Sequence, residues 1–431
     1  MDPTFRAPRG LGGSLRPPSD KSITHRALML AAVSSGQCRI AHPLATGDCV
    51  STRACLESLG ATFSDSPTGL ETRGVGLQGL REPSRVLDAE NSGTTTRLLC
   101  GLLAGQKHFT VLTGDASLTT RPMGRVVEPL RKMGASIQGR EGGKYAPLCF
   151  LPGPGTLAPI EWMLPVPSAQ VKSCLLFAGL RASGPTTIGG MTASRDHTER
   201  MLRHLGVTLD DHDGTLLIHP VKSLPGFDID VPGDISSAAF FITAALVCGR
   251  ELSIDGCGVN PTRSGFLEVA RRMGALVTTR QERESLGEPA GTIAVSPGDL
   301  RGTTVTPAEV PDLIDEIPLL AVLGLFARGV TVVHGAEELR FKESDRLQMI
   351  AAMAESLGGR VELHEDGFSV EGPQVLRAGT VDPRGDHRIA MAAAVAGAGV
   401  RDGVKVRGFD CARVSYPDFV RDFISLGGEV A

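Results

Sequence analysis

Several cations stand where a helix would avoid them. Lys21 follows Ser19 and Asp20 in SDKSITHRALMLAA, with Arg26 a turn further on. Lys172 and Arg388 occupy comparable places in SAQVKS and GDHRIA. Capping residues open each run, so these cations fall near helix starts, against the positive end of the macrodipole. Repetition at matched positions points to an anionic ligand, because bare helix N-termini also direct unpaired N–H groups at an anion. A helix end contributes only about 0.3–2 kcal/mol, so lysine and arginine must supply most of the attraction for a multiply charged ligand. LTTRPMGRVVEPL adds Arg121 in a loop before a proline, where a rigid guanidinium can clamp an anion. LRFKESDRLQMI gathers Lys342, Glu343, Asp345 and Arg346. On a helix, Lys342 and Arg346 would lie four apart on one face and repel unless an anion lay between them. Asp315 and Glu316 stand at a further helix start in LIDEIPLLAV, where acids also simply complement the dipole, and the cluster leaves a few carboxylates available for proton transfer.

The elements that must position these groups repeat. A polar cluster runs into an Ala/Leu-rich helix at Ser19, Asn91, Ser168, Gly233, Leu313 and Gly385. After each comes an amphipathic helix with a Leu/Met-Gly stop before an apolar strand: LESLGATF, LRKMGASI, LRHLGVTL, ARRMGALV, MAESLGGRV and FISLGGEV. The interval is roughly 70 residues, too long for a solenoid repeat and right for compact units of two helices and several short strands. This predicts an α/β chain of six βα units, grouped three and three, with a break in the Pro/Gly-rich stretch between Pro220 and Asp234.

Composition narrows the function classes. The 431 residues favour two domains, and 41% hydrophobic with 21% charged residues describe a soluble globular chain. A net charge of −4 and 4% aromatics argue against a nucleic-acid surface. The nine cysteines lack C-x-x-C spacing, which predicts free thiols in a reducing compartment. The ten histidines show no H-E-x-x-H, so no metal is expected, and no Walker motif appears. The N-terminal stretch lacks the apolar core of a signal peptide and no run reaches the roughly 18 residues of a membrane span, so a cytoplasmic protein is expected.

The motifs SDKSITHRALMLAA, NSGTTTRLL, GDASLTTRPMGRVVEPLRKMGA, PSAQVKS, SRDHTERML, LRFKESDRL and GDHRIAMA occur in that order from about Gly12 to the C-terminus. They resemble those of the 5-enolpyruvylshikimate-3-phosphate synthase family, and NSGTTTRLL, SAQVKS and SRDHTE resemble its class II-like bacterial branch. The resemblance implies an enolpyruvyl transferase fold, a two-domain clamshell with three βαβαββ-type repeats per domain. It implies one domain at 19–231 and a second at 1–18 plus 232–431, the chain crossing the hinge twice. It also implies transfer of the enolpyruvyl group of phosphoenolpyruvate to the 5-hydroxyl of shikimate 3-phosphate, with release of phosphate and no metal or organic cofactor. By the same resemblance, Lys21, Ser22, Arg26, Ser168, Gln170, Arg195, Asp315 and Lys342 bind shikimate 3-phosphate. Lys21, Gly93, Arg121, Gln170, Arg346 and Arg388 bind phosphoenolpyruvate. Asp315 is the base on the attacking hydroxyl, Glu343 moves the C3 proton and Lys21 assists at the bridging oxygen. That set holds seven cations against two carboxylates. The family is usually monomeric, with no nucleic-acid or membrane partner.

Some positions depart from the family pattern. Ala169 stands where many members have a second serine, Val414 replaces a lysine beside Arg413, and Leu98 replaces a proline. The alternative on the same fold, enolpyruvyl transfer to UDP-N-acetylglucosamine, usually goes with Lys-Asn where this chain has Lys21-Ser22. It also goes with a reactive cysteine shortly before the equivalent of Arg121, and GDASLTTRP contains none.

Overall fold

The structure, a computed structural model, describes residues 2–431. It forms the expected helix pairs in chain order: α1 (Lys21–Val33) with α2 (Asp48–Ser58), and α3 (Gly93–Leu103) with α4 (Gly124–Lys132). A single turn, α5 (Arg140–Gly143), intervenes before α6 (Ala169–Gly179) and α7 (His197–His204). Then come α8 (Ile235–Val247) with α9 (Gly265–Arg272), α10 (Ile317–Phe326) with α11 (Arg346–Ser356), and α12 (His387–Ala398) with α13 (Phe419–Ser425).

The two members of each pair are built differently. The first is an interior helix: every residue of α8 from Ile235 to Leu246 is buried, as is every residue of α12. Its alanines and glycines let backbones approach, and a Cβ on Gly101 of α3 would lie 2.2 Å from the Cys174 carbonyl of α6. Asp20, Ser92, Ser168, Asp234 and Asp386 cap five of these helices by accepting from backbone N–H groups of the first turn. The second member is amphipathic, and in α4, α7 and α9 its last turn carries basic residues that complement the helix dipole. All six second helices stop at a glycine in the left-handed region, namely Gly60, Gly134, Gly206, Gly274, Gly358 and Gly427. A side chain there would be strained, which is why the Leu/Met-Gly stop recurs.

Among the described residues the strands form six four-stranded sheets. In the sheet after α1, Gln37–Ala41 pairs in parallel with Asp228–Asp230 and antiparallel with Gly69–Arg73, which pairs antiparallel with Ser64–Ser66. The sheet around Thr110–Thr113 repeats this scheme, as does the one around Gly329–Val333. GVGLQG, residues 74–79, has dinucleotide-loop spacing, but it follows the strand Gly69–Arg73 into loop rather than opening a helix.

The chain divides into two compact units. The first comprises Ser19–Val231 with Glu284–Glu288, and the second comprises the residues up to Pro18, Pro232–Arg283 and Pro289–Ala431. Within the first, buried His197 places Nδ1 2.9 Å from Oε1 of buried Glu288. The second unit draws its final sheet from the whole chain: Thr4–Arg6 pairs with Val404–Val406 on one side and Glu429–Val430 on the other. Its core includes a cluster of rings in which Phe5 meets Phe409, Phe419 and Phe423.

Candidate active site

In the first unit, the N-termini of α1, α3 and α6 carry the expected residues. Lys21 is the first residue of α1, behind the cap that Asp20 makes to Ile23 N at 2.8 Å. The structure supplies a partner that the motif did not reveal: Lys21 Nζ lies 3.1 Å from Oδ2 of Asp48, the first residue of α2. Arg26 is buried and donates through Nε to Thr198 Oγ1 at 2.7 Å, through NH1 to the Ser22 carbonyl at 2.9 Å and through NH2 to Ser173 Oγ at 2.8 Å. Burial lowers its pKa to about 10. Behind these groups a chain of neutral donors and acceptors ties α1, α2 and α3. His25 Nδ1 lies 2.7 Å from Thr52 Oγ1, which lies 2.6 Å from Thr95 Oγ1. Burial pulls the His25 imidazole down to about 3.

Gly93 opens α3, with Ser92 as its cap. A Cβ on Gly93 would lie 3.1 Å from Arg97 NH1 and 3.3 Å from Arg121 NH1, so the glycine keeps space between two guanidinium groups. Arg121 donates to Asn91 Oδ1 at 2.6 Å. Arg97, which the motifs did not single out, donates to Gln170 Oε1 at 2.6 Å, and Gln170 Nε2 donates to Thr94 Oγ1 at 3.0 Å. Together these bonds fix which end of the Gln170 amide faces which neighbour. Ser168 caps α6 by accepting from Val171 N.

Lys172 corrects the reading that grouped it with the anion-facing cations. It is buried, its Nζ lies 2.6 Å from Glu199 Oε1, and it donates to the carbonyls of Thr192 and Ser194 at 3.0 and 3.1 Å. One helical turn beyond the cap, it faces inward and holds the loop that leads to Arg195. Arg195 itself lies half-buried before α7.

In the second unit, Arg346 is the hub. It is the first residue of α11, capped by Asp345, and only 1% exposed. Its Nε donates to Asp386 Oδ2 at 2.9 Å, NH1 to Asp315 Oδ1 at 3.3 Å and NH2 to Glu343 Oε2 at 2.5 Å. Burial alone would lower its pKa, but Asp386, Glu343 and Asp315 overcome that and hold it above the ordinary arginine range. Asp386 caps α12 by accepting from Arg388 N at 2.9 Å. Burial pushes its carboxyl up, but the charge and hydrogen bond of Arg346, helped by His387, together bring it below the usual range. Asp315 Oδ2 lies 3.4 Å from Arg388 NH2 and 3.6 Å from Arg263 NH1.

One detail differs from expectation. Lys342 ends a 3-10 turn, Glu337–Phe341, ahead of α11, so it does not share a helix face with Arg346. Its neighbour is Glu338 at 3.8 Å, and burial lowers its pKa against the opposing pull of Glu338 and Asp315. The segment holding Arg413 and Val414 is a 3-10 turn, Phe409–Val414, and Arg413 is exposed. Asp48, Arg97, Arg263 and Asp386 are the site neighbours that motif reading passed over. Asp386 had a signal, the aspartate of GDHRIA in a capping position, but helix capping alone already explained it.

Among the described residues no group of three or more His, Cys, Asp or Glu side chains could hold a metal ion. No helix among them is long and apolar enough to cross a membrane.

Residues 5–423 match the family model for EPSP synthase (3-phosphoshikimate 1-carboxyvinyltransferase). The chain is 48% identical to the 3-phosphoshikimate 1-carboxyvinyltransferase of Synechococcus sp. (strain JA-3-3Ab), over 97% of this chain and 95% of that one. It is 48% identical to one from Thermus thermophilus, over 99% of each chain. Among solved structures it resembles EPSP synthase from Acinetobacter baumannii, with a TM-score of 0.88, 36% identity and full coverage of both chains. The enolpyruvyl transferase NikO from Streptomyces tendae shares the fold, with a TM-score of 0.78, 20% identity, and coverage of 100% of this chain and 98% of that one.

Proposed function

The chain belongs to the EPSP synthase family, and from that premise we propose how its two sets of site residues divide the work of enolpyruvyl transfer. The protein is a 3-phosphoshikimate 1-carboxyvinyltransferase: it moves the enolpyruvyl group of phosphoenolpyruvate to the 5-hydroxyl of shikimate 3-phosphate and releases phosphate. Transfer to UDP-N-acetylglucosamine is not favoured, because the close relatives carry the shikimate name throughout.

Shikimate 3-phosphate is held by Lys21, Ser22, Arg26, Ser168, Gln170, Arg195, Asp315 and Lys342. Phosphoenolpyruvate is held by Lys21, Gly93, Arg121, Gln170, Arg346 and Arg388. Glu343, in its acid form, gives a proton to C3 of phosphoenolpyruvate while the 5-oxygen, relieved of its proton by Asp315, attacks C2. A tetrahedral intermediate results. Loss of phosphate and return of a C3 proton to Glu343 then regenerate the enol ether, with Lys21 assisting at the bridging oxygen.

One observation carries this assignment: the two carboxylates given proton-transfer roles, Asp315 and Glu343, both contact the single guanidinium of Arg346, at 3.3 and 2.5 Å. An acid and a base held against the cation assigned to phosphoenolpyruvate are a suitable set for protonation at one carbon and deprotonation at a nearby oxygen. We place the protein in the cytoplasm, a reading supported by nine free cysteines, and take it as a monomer on the family resemblance alone. Phosphate release from phosphoenolpyruvate, with shikimate 3-phosphate or UDP-N-acetylglucosamine as acceptor, tests the reading. Release only with the first is expected, and release only with the second overturns it.

A further inference from the structure

A cavity of about 470 Å³ opens in the first unit between α2, the loop before it and the Ser64–Ser66/Gly69–Arg73 hairpin. None of its lining residues is among those assigned above to either substrate. Leu28, Leu44, Cys49 and Leu70 form a buried apolar wall, and Val50, 50% exposed, stands at the lip. A pocket of this volume with an apolar body suits a small molecule of about two fused rings.

The charged side of the cavity sets what that molecule can carry. Arg53 is committed: it donates to Glu57 Oε1 at 2.8 Å, Asp65 Oδ1 at 2.9 Å and the Phe63 carbonyl at 3.0 Å. Glu57 and Asp65 therefore outnumber the one cation of the lining, whose His42 already lies 2.8 Å from Asp230. An anion entering here would meet a net negative rim and a guanidinium whose donors are engaged.

We propose that this cavity is a second small-molecule site, for a neutral or monocationic ligand with a two-ring apolar body, whose occupancy is felt at Lys21. The link runs through the first turn of α2. Asp48 pairs with Lys21 Nζ at 3.1 Å, and Cys49 Sγ, in the cavity wall, donates to the Lys21 carbonyl at 3.8 Å. No side-chain cap fixes the start of α2, which follows Gly47 at a positive φ. A ligand that leans on Cys49 and Val50 therefore shifts the turn that orients Lys21. The link to activity rests on the role proposed for Lys21, whereas binding itself does not.

Calorimetric titration of the full chain with 2-naphthylmethanol, 2-naphthylmethylamine and 2-naphthoate separates the two parts. The alcohol and amine bind, the carboxylate binds at least tenfold more weakly, and Val50→Trp at the lip weakens the first two at least tenfold. Should that variant not fold, Ala54→Leu blocks the same wall. Absence of binding, equal affinity for the carboxylate, or indifference to both substitutions overturns the site. In assays, saturating 2-naphthylmethylamine changes the KM for phosphoenolpyruvate at least twofold in the unsubstituted enzyme and not in Val50→Trp. An unchanged KM with binding intact overturns the link to Lys21 alone.

Discussion

The site residues of the first unit and those of the second solve opposite electrostatic problems. Around α1, α3 and α6, the cations Lys21, Arg26, Arg97, Arg121 and Arg195 have carboxylates beside them at Asp20 and Asp48, while a sixth cation, Lys172, is paired inside with Glu199. Arg26, the most buried of them, is held by two hydroxyls and a carbonyl, neutral groups that orient it without cancelling its charge. Around α10, α11 and α12, four cations, Arg263, Lys342, Arg346 and Arg388, meet six carboxylates: Asp234, Asp315, Glu316, Glu338, Glu343 and Asp386. On the proposed assignment the first set is a bed for anions. The second is a mesh in which acids are fixed in place by arginines, as proton transfer requires. Both sets bind substrate on that assignment, and the two acids that move protons, Asp315 and Glu343, belong to the second.

Substitutions can break that division. Replacing either mesh acid, Asp315→Ala or Glu343→Ala, should lower kcat by about 10²–10⁴ with folding retained, measured by steady-state phosphate release. A change confined to KM would make the mesh a second binding bed. Asp386→Ala should act on stability instead. It removes the Nε partner of buried Arg346, which keeps Asp315 and Glu343, and uncaps α12, at about 1.5–3 kcal/mol for the charged hydrogen bond and ~1 kcal/mol for the cap in chemical denaturation. In the bed, Arg121→Ala should raise the KM for phosphoenolpyruvate about ten- to hundredfold through loss of a charged hydrogen bond, with a smaller effect on kcat.

The neutral chain behind the bed gives a pH test. The His25 pKa falls from 6.5 to about 3 on folding, so its contribution is full above pH 6.5 and is lost as pH drops towards 3. The Tm difference between the unsubstituted protein and His25→Gln should therefore shrink as pH is lowered through that window. The smallest effect is expected of Asp48→Asn, which removes a carboxylate from the bed and should lower the KM for phosphoenolpyruvate severalfold at low salt. A rise would mean that Asp48 holds Lys21 in place more than it neutralises it.

Much of this was legible in the sequence because it is written in local terms. Capping residues, alanine runs and Leu/Met-Gly stops state where six helix pairs begin and end, and the structure forms all of them. What stayed hidden depends on contacts between distant segments. Lys172 reads like Lys21, each within a turn of a cap, and only the approach of α7 shows that Glu199 takes it inside. Lys342 and Arg346 look like helix neighbours until a 3-10 turn separates them. Asp48 and Arg97 carry no motif of their own. Their meaning lies in Lys21, 27 positions from Asp48, and in Gln170, 73 positions from Arg97.

The pairing of Thr4–Arg6 between Val404–Val406 and Glu429–Val430 has a consequence for how the molecule is made. Nearly all of the first unit is contiguous, so most of its partners leave the ribosome together, while Thr4–Arg6 waits for Val404–Val406 and Glu429–Val430 to be synthesised. A strand made before the whole of the first unit is thus used after it, and until then it is an unpaired edge that must stay out of other sheets.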